Sequence, residues 1–177
     1  MRQVRRLLEA PEVDRAIARL EAAIVAAEPD PANLCLVGIR RGGVPLAERL
    51  AERIRASTGH RPPLGSLDIT LYRDDLGAHA VPKVGPTRID FPITDRTVVL
   101  VDDVLYTGRT VRAALQELSD FGRSRRVYLA VLVERPGREL PIQADFVGEG
   151  VAATPAQRVE VRLREQHGGA DEVVLLE

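Results

Sequence analysis

Short runs that are apolar at nearly every position alternate along the chain with longer runs in which apolar residues recur every three or four positions. The first kind suits strands covered on both faces, and the second suits amphipathic helices. Val13, Ile17, Leu20 and Ile24 predict a helix over 11–27, with Pro11 near its start, where a missing N–H costs nothing. A strand over 33–39, a helix over 44–56 with Leu46, Leu50 and Ile54 on one face, and a strand over 64–71 come next. The alternation resumes with a strand at 98–101, a helix over 110–121 and a strand at 127–133. After a loop at 134–140, short strands are predicted near 144–148, 159–163 and 173–176. Such an order predicts one α/β domain over 1–177, with a mostly parallel central sheet flanked by helices. The late short strands are expected to form a small accessory lobe, or hood, over the carboxyl edge of the sheet. Residues 72–95, rich in charge, Pro and Gly, break the pattern and are expected to be a flexible functional flap.

The stretch Val98-Val99-Leu100-Val101-Asp102-Asp103-Val104-Leu105-Tyr106-Thr107-Gly108-Arg109-Thr110 places chemistry at one of these strand-to-helix joints. Asp102 and Asp103, at the end of an apolar strand, are acceptors suited to a vicinal diol. Thr107, Gly108 and Thr110 can offer backbone N–H groups and hydroxyls at a helix N-terminus, where the helix dipole favours a phosphate. Together these imply a ribose with a phosphate at its 5 position. Neither a Gly-x-Gly-x-x-Gly turn nor a Gly-x-x-x-x-Gly-Lys-Ser/Thr loop is present. Gly38-Ile39-Arg40-Arg41-Gly42-Gly43 follows the strand over 33–39 and opens on the same sheet edge, where its arginines and close-approaching glycines suit a pyrophosphate. The segment matches the motif of type I phosphoribosyltransferases, which it resembles in its apolar strand, paired acids and Thr-Gly-x-Thr loop.

Charge and composition narrow the partners. The formal net charge of −1 excludes a broadly basic nucleic-acid binder but leaves room for a local basic patch. Among the 25 basic residues Lys83 is the sole lysine, and arginine suits bidentate phosphate contacts. No apolar run approaches the roughly 18 residues that span a bilayer, so a cytoplasmic protein without membrane partners is expected. Cys35 lies in an apolar run and reads as a small buried hydrophobe. His60, His79 and His167 have neither a paired acid nor metal-ligand spacing and read as surface residues.

Three longer blocks sharpen the resemblance: Asp68-Ile69-Thr70-Leu71-Tyr72-Arg73-Asp74-Asp75-Leu76, the stretch from Val101 to Ala114, and Leu129-Ala130-Val131-Leu132-Val133-Glu134-Arg135-Pro136-Gly137-Arg138-Glu139-Leu140-Pro141-Ile142. From about residue 8 to the C-terminus the chain closely resembles the bifunctional pyrimidine operon regulator and uracil phosphoribosyltransferase family. The resemblance implies uracil and phosphoribosyl pyrophosphate as substrates, uridine mono- and triphosphate as ligands, and Mg²⁺ carried with phosphoribosyl pyrophosphate near Asp102 and Asp103 without dedicated protein ligands. It also implies a homodimer or larger homo-oligomer and binding to the leader mRNA of pyrimidine biosynthesis genes. Asp102 and Asp103 would hold the ribose hydroxyls, the loop from Thr107 through Gly108 and Arg109 to Thr110 the 5-phosphate, and Arg40 with Arg41 the pyrophosphate. Val104, Leu105 and Tyr106 complete the substrate-binding segment, Tyr106 standing where 6-oxopurine enzymes carry an acid, which favours a pyrimidine. Arg135 and the backbone near Val159 would meet the base, and Arg73 in the flap would meet the leaving group. Arg19 and Arg138 would contact RNA, whereas Ala18, Ala22 and Glu149 replace polar or basic residues of relatives. A purine or orotate phosphoribosyltransferase without an RNA role, and an RNA-binding regulator with vestigial catalysis, are the alternatives.

Overall fold

A strand buried on both faces needs a helix layer on each side, and the order of elements supplies both. The computed structural model describes residues 4–72 and 85–177. Its elements are β1 (Val4–Leu8), α1 (Ala10–Ala27), β2 (Leu34–Ile39), α2 (Gly43–Thr58), β3 (Leu64–Leu67) and β4 (Thr97–Leu105). They continue as α3 (Arg109–Leu118), β5 (Arg126–Glu134), β6 (Phe146–Gly150), β7 (Arg158–Arg162), α4 (Arg164–His167) and β8 (Glu172–Leu176). A five-stranded sheet runs in the order β3-β2-β4-β5-β6 with every ladder parallel. An antiparallel three-stranded sheet, β1-β8-β7, makes the hood.

Alternation along the strands divides the core in two. Leu36, Val99, Val101 and Leu132 face α1 and α2, meeting Ile17, Leu20, Leu46 and Leu50, and the hood adds Val161 and Leu175 to that cluster. Cys35, Val37, Leu100 and Val131 face the other way, against Val111, Ala114 and Leu118 of α3. Cys35 is thus a core residue, and burial pushes its thiol up to about 11.

Several expected boundaries move for local reasons. β1 was invisible to periodicity because most of it is exposed; it is a strand because it pairs with β8. β6 joins the main sheet beside β5 and is no part of the hood. β3 stops at Leu67 because the Asp68 carboxylate accepts the Thr70 N–H at 3.0 Å, closing a turn that competes with the ladder. Residues 72–95 were expected to lack structure. Residues 73–84 lie outside the described residues, but Arg88 exchanges two backbone hydrogen bonds of 2.8 Å with Ser66, and Ile93 is fully buried.

The hood is fastened to α2 by one arginine. Arg49 donates to Glu165 at 2.8 and 2.6 Å and to Asp171 at 2.6 and 2.8 Å. Those hydrogen bonds hold both carboxyls below their ordinary range and push the Arg49 guanidinium further up. Arg49→Met should leave the part-buried Asp171 and the exposed Glu165 carboxylates without their cation, costing about 1–2 kcal/mol once solvent screening of Glu165 is allowed for. Because folding lowers the carboxyl pKa values, the stabilisation is present above the unfolded-state values, near pH 4, and fades as pH falls through the lower folded values. Melting temperatures of wild type and Arg49→Met should therefore differ most at neutral pH and converge as pH falls below the unfolded-state values; a constant gap would show that the clamp contributes no proton-linked stability.

Candidate active site

In a parallel sheet, ligands are met at the carboxyl ends of strands where the chain reverses its direction of winding. Here that point lies between β2 and β4: the chain goes from β2 outward to β3, then returns to β4 on the other side. The loop after β2 and the loop after β4 consequently face each other across a cleft of about 610 Å³. Arg40, Arg41, Asp102, Asp103, Val104 and Thr110 all line it, as do Asp68, Thr70, Arg158 and Gln166.

Two glycines make the approach of these loops possible. A Cβ on Gly43 would sit 2.1 Å from the Val101 carbonyl oxygen, and a Cβ on Gly42 would sit 2.0 Å from Oδ2 of Asp103. These glycines, expected to let the backbone approach a pyrophosphate, are needed first for packing against β4. The peptide between Arg40 and Arg41 is cis, and the Arg41 carbonyl accepts from Gln166 Nε2 at 3.2 Å, so the hood touches this loop directly.

β4 extends through the acid pair to Leu105, so strand alternation gives the two carboxylates different surroundings. Asp102 is 6% exposed and Asp103 is half-buried beside Gly42. Burial, followed by the neighbouring Asp103 charge, raises the Asp102 carboxyl well above its ordinary value. The Asp102 carboxylate accepts the Asp103 N–H at 2.9 Å, and that of Asp103 accepts the Val104 N–H at 2.8 Å. Across the cleft Arg40 has a buried Nε without a hydrogen-bond partner among the described residues. A buried guanidinium nitrogen left unpaired across the cleft from two carboxylates suits a ligand that carries both anionic and hydroxyl groups.

The turn after β4 forms as the sequence implies. Gly108 has φ +93 and precedes α3, whose first turn places Thr110 at the cleft. The Thr107 carbonyl accepts from the Glu139 and Leu140 N–H groups at 3.0 and 3.2 Å, bracing the turn against the loop after β5, and Arg109 pairs with Glu139 at 2.9 Å.

Other expected site residues have their own partners. Arg135 is 6% exposed, stacks 3.9 Å from the centre of the Tyr106 ring, and donates to the carbonyls of Gln157 and Thr154 at 2.6 and 2.8 Å. Its guanidinium thus shapes the segment leading into β7, while the Val159 side chain is in the core with Val133. The Leu105 carbonyl accepts the Arg135 N–H at 3.1 Å. Of the expected 104–110 segment only Val104 and Thr110 line this cleft; Leu105, Tyr106, Thr107, Gly108 and Arg109 do not, nor do Arg135 and Val159. Arg19 on α1 donates to the Gly148 carbonyl at 3.0 and 2.6 Å and pairs with Glu149 at 2.6 Å, which spends its charge within the chain. Arg138 is exposed. Arg73 lies outside the described residues. Arg158 and Gln166, which sequence reasoning missed, come from the hood, far beyond the motif in sequence, and no local pattern marks them.

The sequence profile of the phosphoribosyl transferase domain matches residues 3–157. The chain belongs to this family. Bifunctional protein PyrR of Chloroflexus aurantiacus is 53% identical over 173 residues, 97% of this chain and 94% of that protein. Bifunctional protein PyrR of Thermus thermophilus is 52% identical over 178 residues, spanning 100% of this chain and 98% of its own. Among solved structures, hypoxanthine phosphoribosyl transferase of Trypanosoma cruzi superposes with a TM-score of 0.74 at 15% identity, over 98% of this chain and 91% of that one. Purine phosphoribosyltransferase from Pyrococcus horikoshii gives 0.63 at 24% identity, over 84% and 90%. At such identities these structures show the fold, that of a type I phosphoribosyltransferase. The described residues contain no helix long and apolar enough to cross a membrane.

The two loop glycines give a contrasting pair of tests. Gly43→Ala drives a Cβ into backbone that cannot yield, so it should lower the melting temperature or abolish folding. Gly42→Ala meets a side chain that can turn away. It should fold, with the melting temperature changed by only a few degrees, and lose activity by about 100-fold because Asp103 is displaced. Near-normal activity of folded Gly42→Ala, or normal stability of Gly43→Ala, would contradict the packing described.

Proposed function

We propose that the chain transfers the 5-phosphoribosyl group from phosphoribosyl pyrophosphate to uracil, giving uridine monophosphate and pyrophosphate, and that it also binds the leader mRNA of pyrimidine biosynthesis genes under uridine-nucleotide control. The observation that carries the enzymatic reading is the cleft at the β2–β4 reversal, where Arg40 and Arg41 face Asp102, Asp103 and the N-terminus of α3. In the reaction, the bond from the ribose anomeric carbon to the pyrophosphate oxygen breaks with its electron pair going to pyrophosphate. The uracil ring nitrogen forms the new bond and its proton passes to solvent. Positive charge grows on the sugar as this happens, and the carboxylate of Asp103 lies where it can stabilise it, while Arg40 and Arg41 stabilise the leaving group.

Asp102 and Asp103 with their burial difference suit the ribose hydroxyls, and the Thr107–Thr110 turn suits the 5-phosphate. Mg²⁺ fits beside the acid pair as an ion carried mainly by substrate oxygens and water, where it would neutralise charge on the pyrophosphate; among the described residues no cluster of three or more His, Cys, Asp and Glu stands ready for a metal. Tyr106, packed between Arg135 and the chain at Gly137, stands where 6-oxopurine enzymes carry an acid, and the lack of that acid supports a pyrimidine in the base site. Arg73 is assigned to the leaving group. Arg138, exposed on the loop after β5, supports RNA contact, and the relatives that share about half of their residues with this chain are named bifunctional. A homodimer or larger homo-oligomer in the cytoplasm belongs to the same reading.

A base panel with phosphoribosyl pyrophosphate and Mg²⁺ tests the enzyme. Uracil should be converted while hypoxanthine, adenine and orotate turn over at least ~100-fold more slowly, and Asp102→Asn with Asp103→Asn should lower uracil turnover by a similar factor. Comparable turnover of a purine or of orotate would remove the pyrimidine assignment.

Filter binding of a pyrimidine-operon leader against a scrambled hairpin, with and without uridine monophosphate, tests the regulator. Wild type should prefer the leader and bind it more tightly with the nucleotide. Glu149→Lys should strengthen binding about 10-fold at low salt, because it releases Arg19 and adds a cation. Equal affinity for both RNAs in all conditions would leave the enzyme alone.

A further inference from the structure

Glu117 is a buried acid for which phosphoribosyl transfer has no evident use. It lies on α3, is 7% exposed, and belongs to a helix face otherwise packed by Val111, Ala114 and Leu118. One carboxylate oxygen accepts the Thr87 hydroxyl at 2.5 Å, and the other, Oε2, is buried with no partner. Burial pushes this carboxyl above its ordinary range despite the Thr87 hydrogen bond, with the Asp68 and Asp120 charges adding to the rise. An acid left half-satisfied in an apolar layer is costly, so its hydroxyl contact has to be worth keeping.

The far side of that hydroxyl points toward the cleft. Thr87 Oγ1 accepts the Asp68 backbone N–H at 2.9 Å, so the threonine is held in one orientation, donating to Glu117 and accepting from Asp68. Asp68 is itself 8% exposed and lines the cleft; its carboxylate accepts from Thr70 and from the Gly85 N–H. Burial alone would raise the Asp68 carboxyl, but those hydrogen bonds and the Arg40 charge bring it below its ordinary value. A Cβ on Gly85 would lie 2.7 Å from Oδ2 of Asp68 and 3.2 Å from the Arg40 guanidinium, which places carboxylate and guanidinium against the same backbone atom. Hydrogen bonds thus run from α3 through Thr87 to the Asp68 backbone, and the Asp68 carboxylate lies near Arg40, whose Nε has no hydrogen-bond partner among the described residues.

We propose that Thr87 and Glu117 are positioning residues for the pyrophosphate side of the site: they fix the Asp68 backbone, and through it the placement of Arg40. The inference rests on the reading of the cleft as a phosphoribosyl pyrophosphate site and says nothing of the base. If it holds, disturbing the pair weakens phosphoribosyl pyrophosphate binding and spares uracil.

The test is the double variant Thr87→Val with Glu117→Met, which removes the unpaired Oε2 but leaves the Asp68 N–H without its acceptor, so the melting temperature should fall by a few degrees while the protein stays folded. Titration calorimetry with phosphoribosyl pyrophosphate and Mg²⁺ should show about 10-fold weaker binding, and KM for phosphoribosyl pyrophosphate should rise by a similar factor, while KM for uracil stays within about two-fold. Thr87→Ser and Glu117→Gln, which each keep a donor and an acceptor in place, should bind as wild type does. Should the double variant not fold, Thr87→Ala compared with Thr87→Ser at a temperature where both are folded reads the same difference. Unchanged phosphoribosyl pyrophosphate affinity in a folded variant lacking the hydroxyl overturns the inference, as does an equal loss of affinity for uracil. Failure of wild type to bind phosphoribosyl pyrophosphate overturns both the inference and the proposed activity, whereas binding without conversion of uracil overturns the base assignment alone.

Discussion

The site exists because two pieces of backbone come closer together than side chains would allow. The segment between β2 and α2 lies against β4 so tightly that Gly43 meets the Val101 carbonyl oxygen and Gly42 meets the Asp103 carboxylate. Gly38, near the end of β2, is similarly close to Val44, where a Cβ would sit 2.7 Å from its Cα. Remove that proximity and the arginines after β2 no longer face the acids of β4. The rest of the architecture serves it: parallel pairing of β2 with β4 sets the two carboxyl ends side by side, and helices on both faces leave that edge as the open end of the sheet.

Electrostatics in the cleft follows from the same geometry. Asp102 and Asp103 are neighbours on one strand, so one turns into the protein and its carboxyl is held protonated-leaning by burial and by the adjacent charge. Arg40, half-buried, keeps a nitrogen without a hydrogen-bond partner among the described residues. The two imbalances have opposite sign and share one cleft, which makes a phosphorylated sugar a better complement than either a simple anion or a simple cation. Most other arginines near the hood are spent internally: Arg49 on Glu165 and Asp171, Arg162 on Glu160 and Glu172, Arg6 on Glu172. A chain of nearly zero net charge thereby keeps its free guanidinium groups for selected places.

The hood does more than cover the edge. Arg135 holds the carbonyls of Thr154 and Gln157 and stacks on Tyr106, while Gln166 touches the Arg41 carbonyl, so segments from the end of the chain reach both loops of the motif. The same economy bears on Arg19, whose charge answers Glu149; a contact to RNA from that face of α1 would have to compete with an internal ion pair at 2.6 Å.

What could be read along the chain was whatever local chemistry decides. The apolar runs of β2, β4 and β5 and the amphipathic spacing of α1, α2 and α3 were legible because a strand buried on both faces and a helix buried on one have different periods. The acid pair and the Thr-Gly-x-Thr turn were legible because strand, turn and helix N-terminus are consecutive. β1 was not, because an exposed strand carries no burial pattern and exists through its pairing with the distant β8. The membership of β6 in the main sheet, the contribution of Arg158 and Gln166 to the cleft, the pairing of Arg19 with Glu149 and the Glu117–Thr87–Asp68 relay were likewise decided by the tertiary structure. Each depends on contacts between residues far apart in sequence, and no local propensity encodes which distant partner a buried carboxylate or an exposed strand will meet.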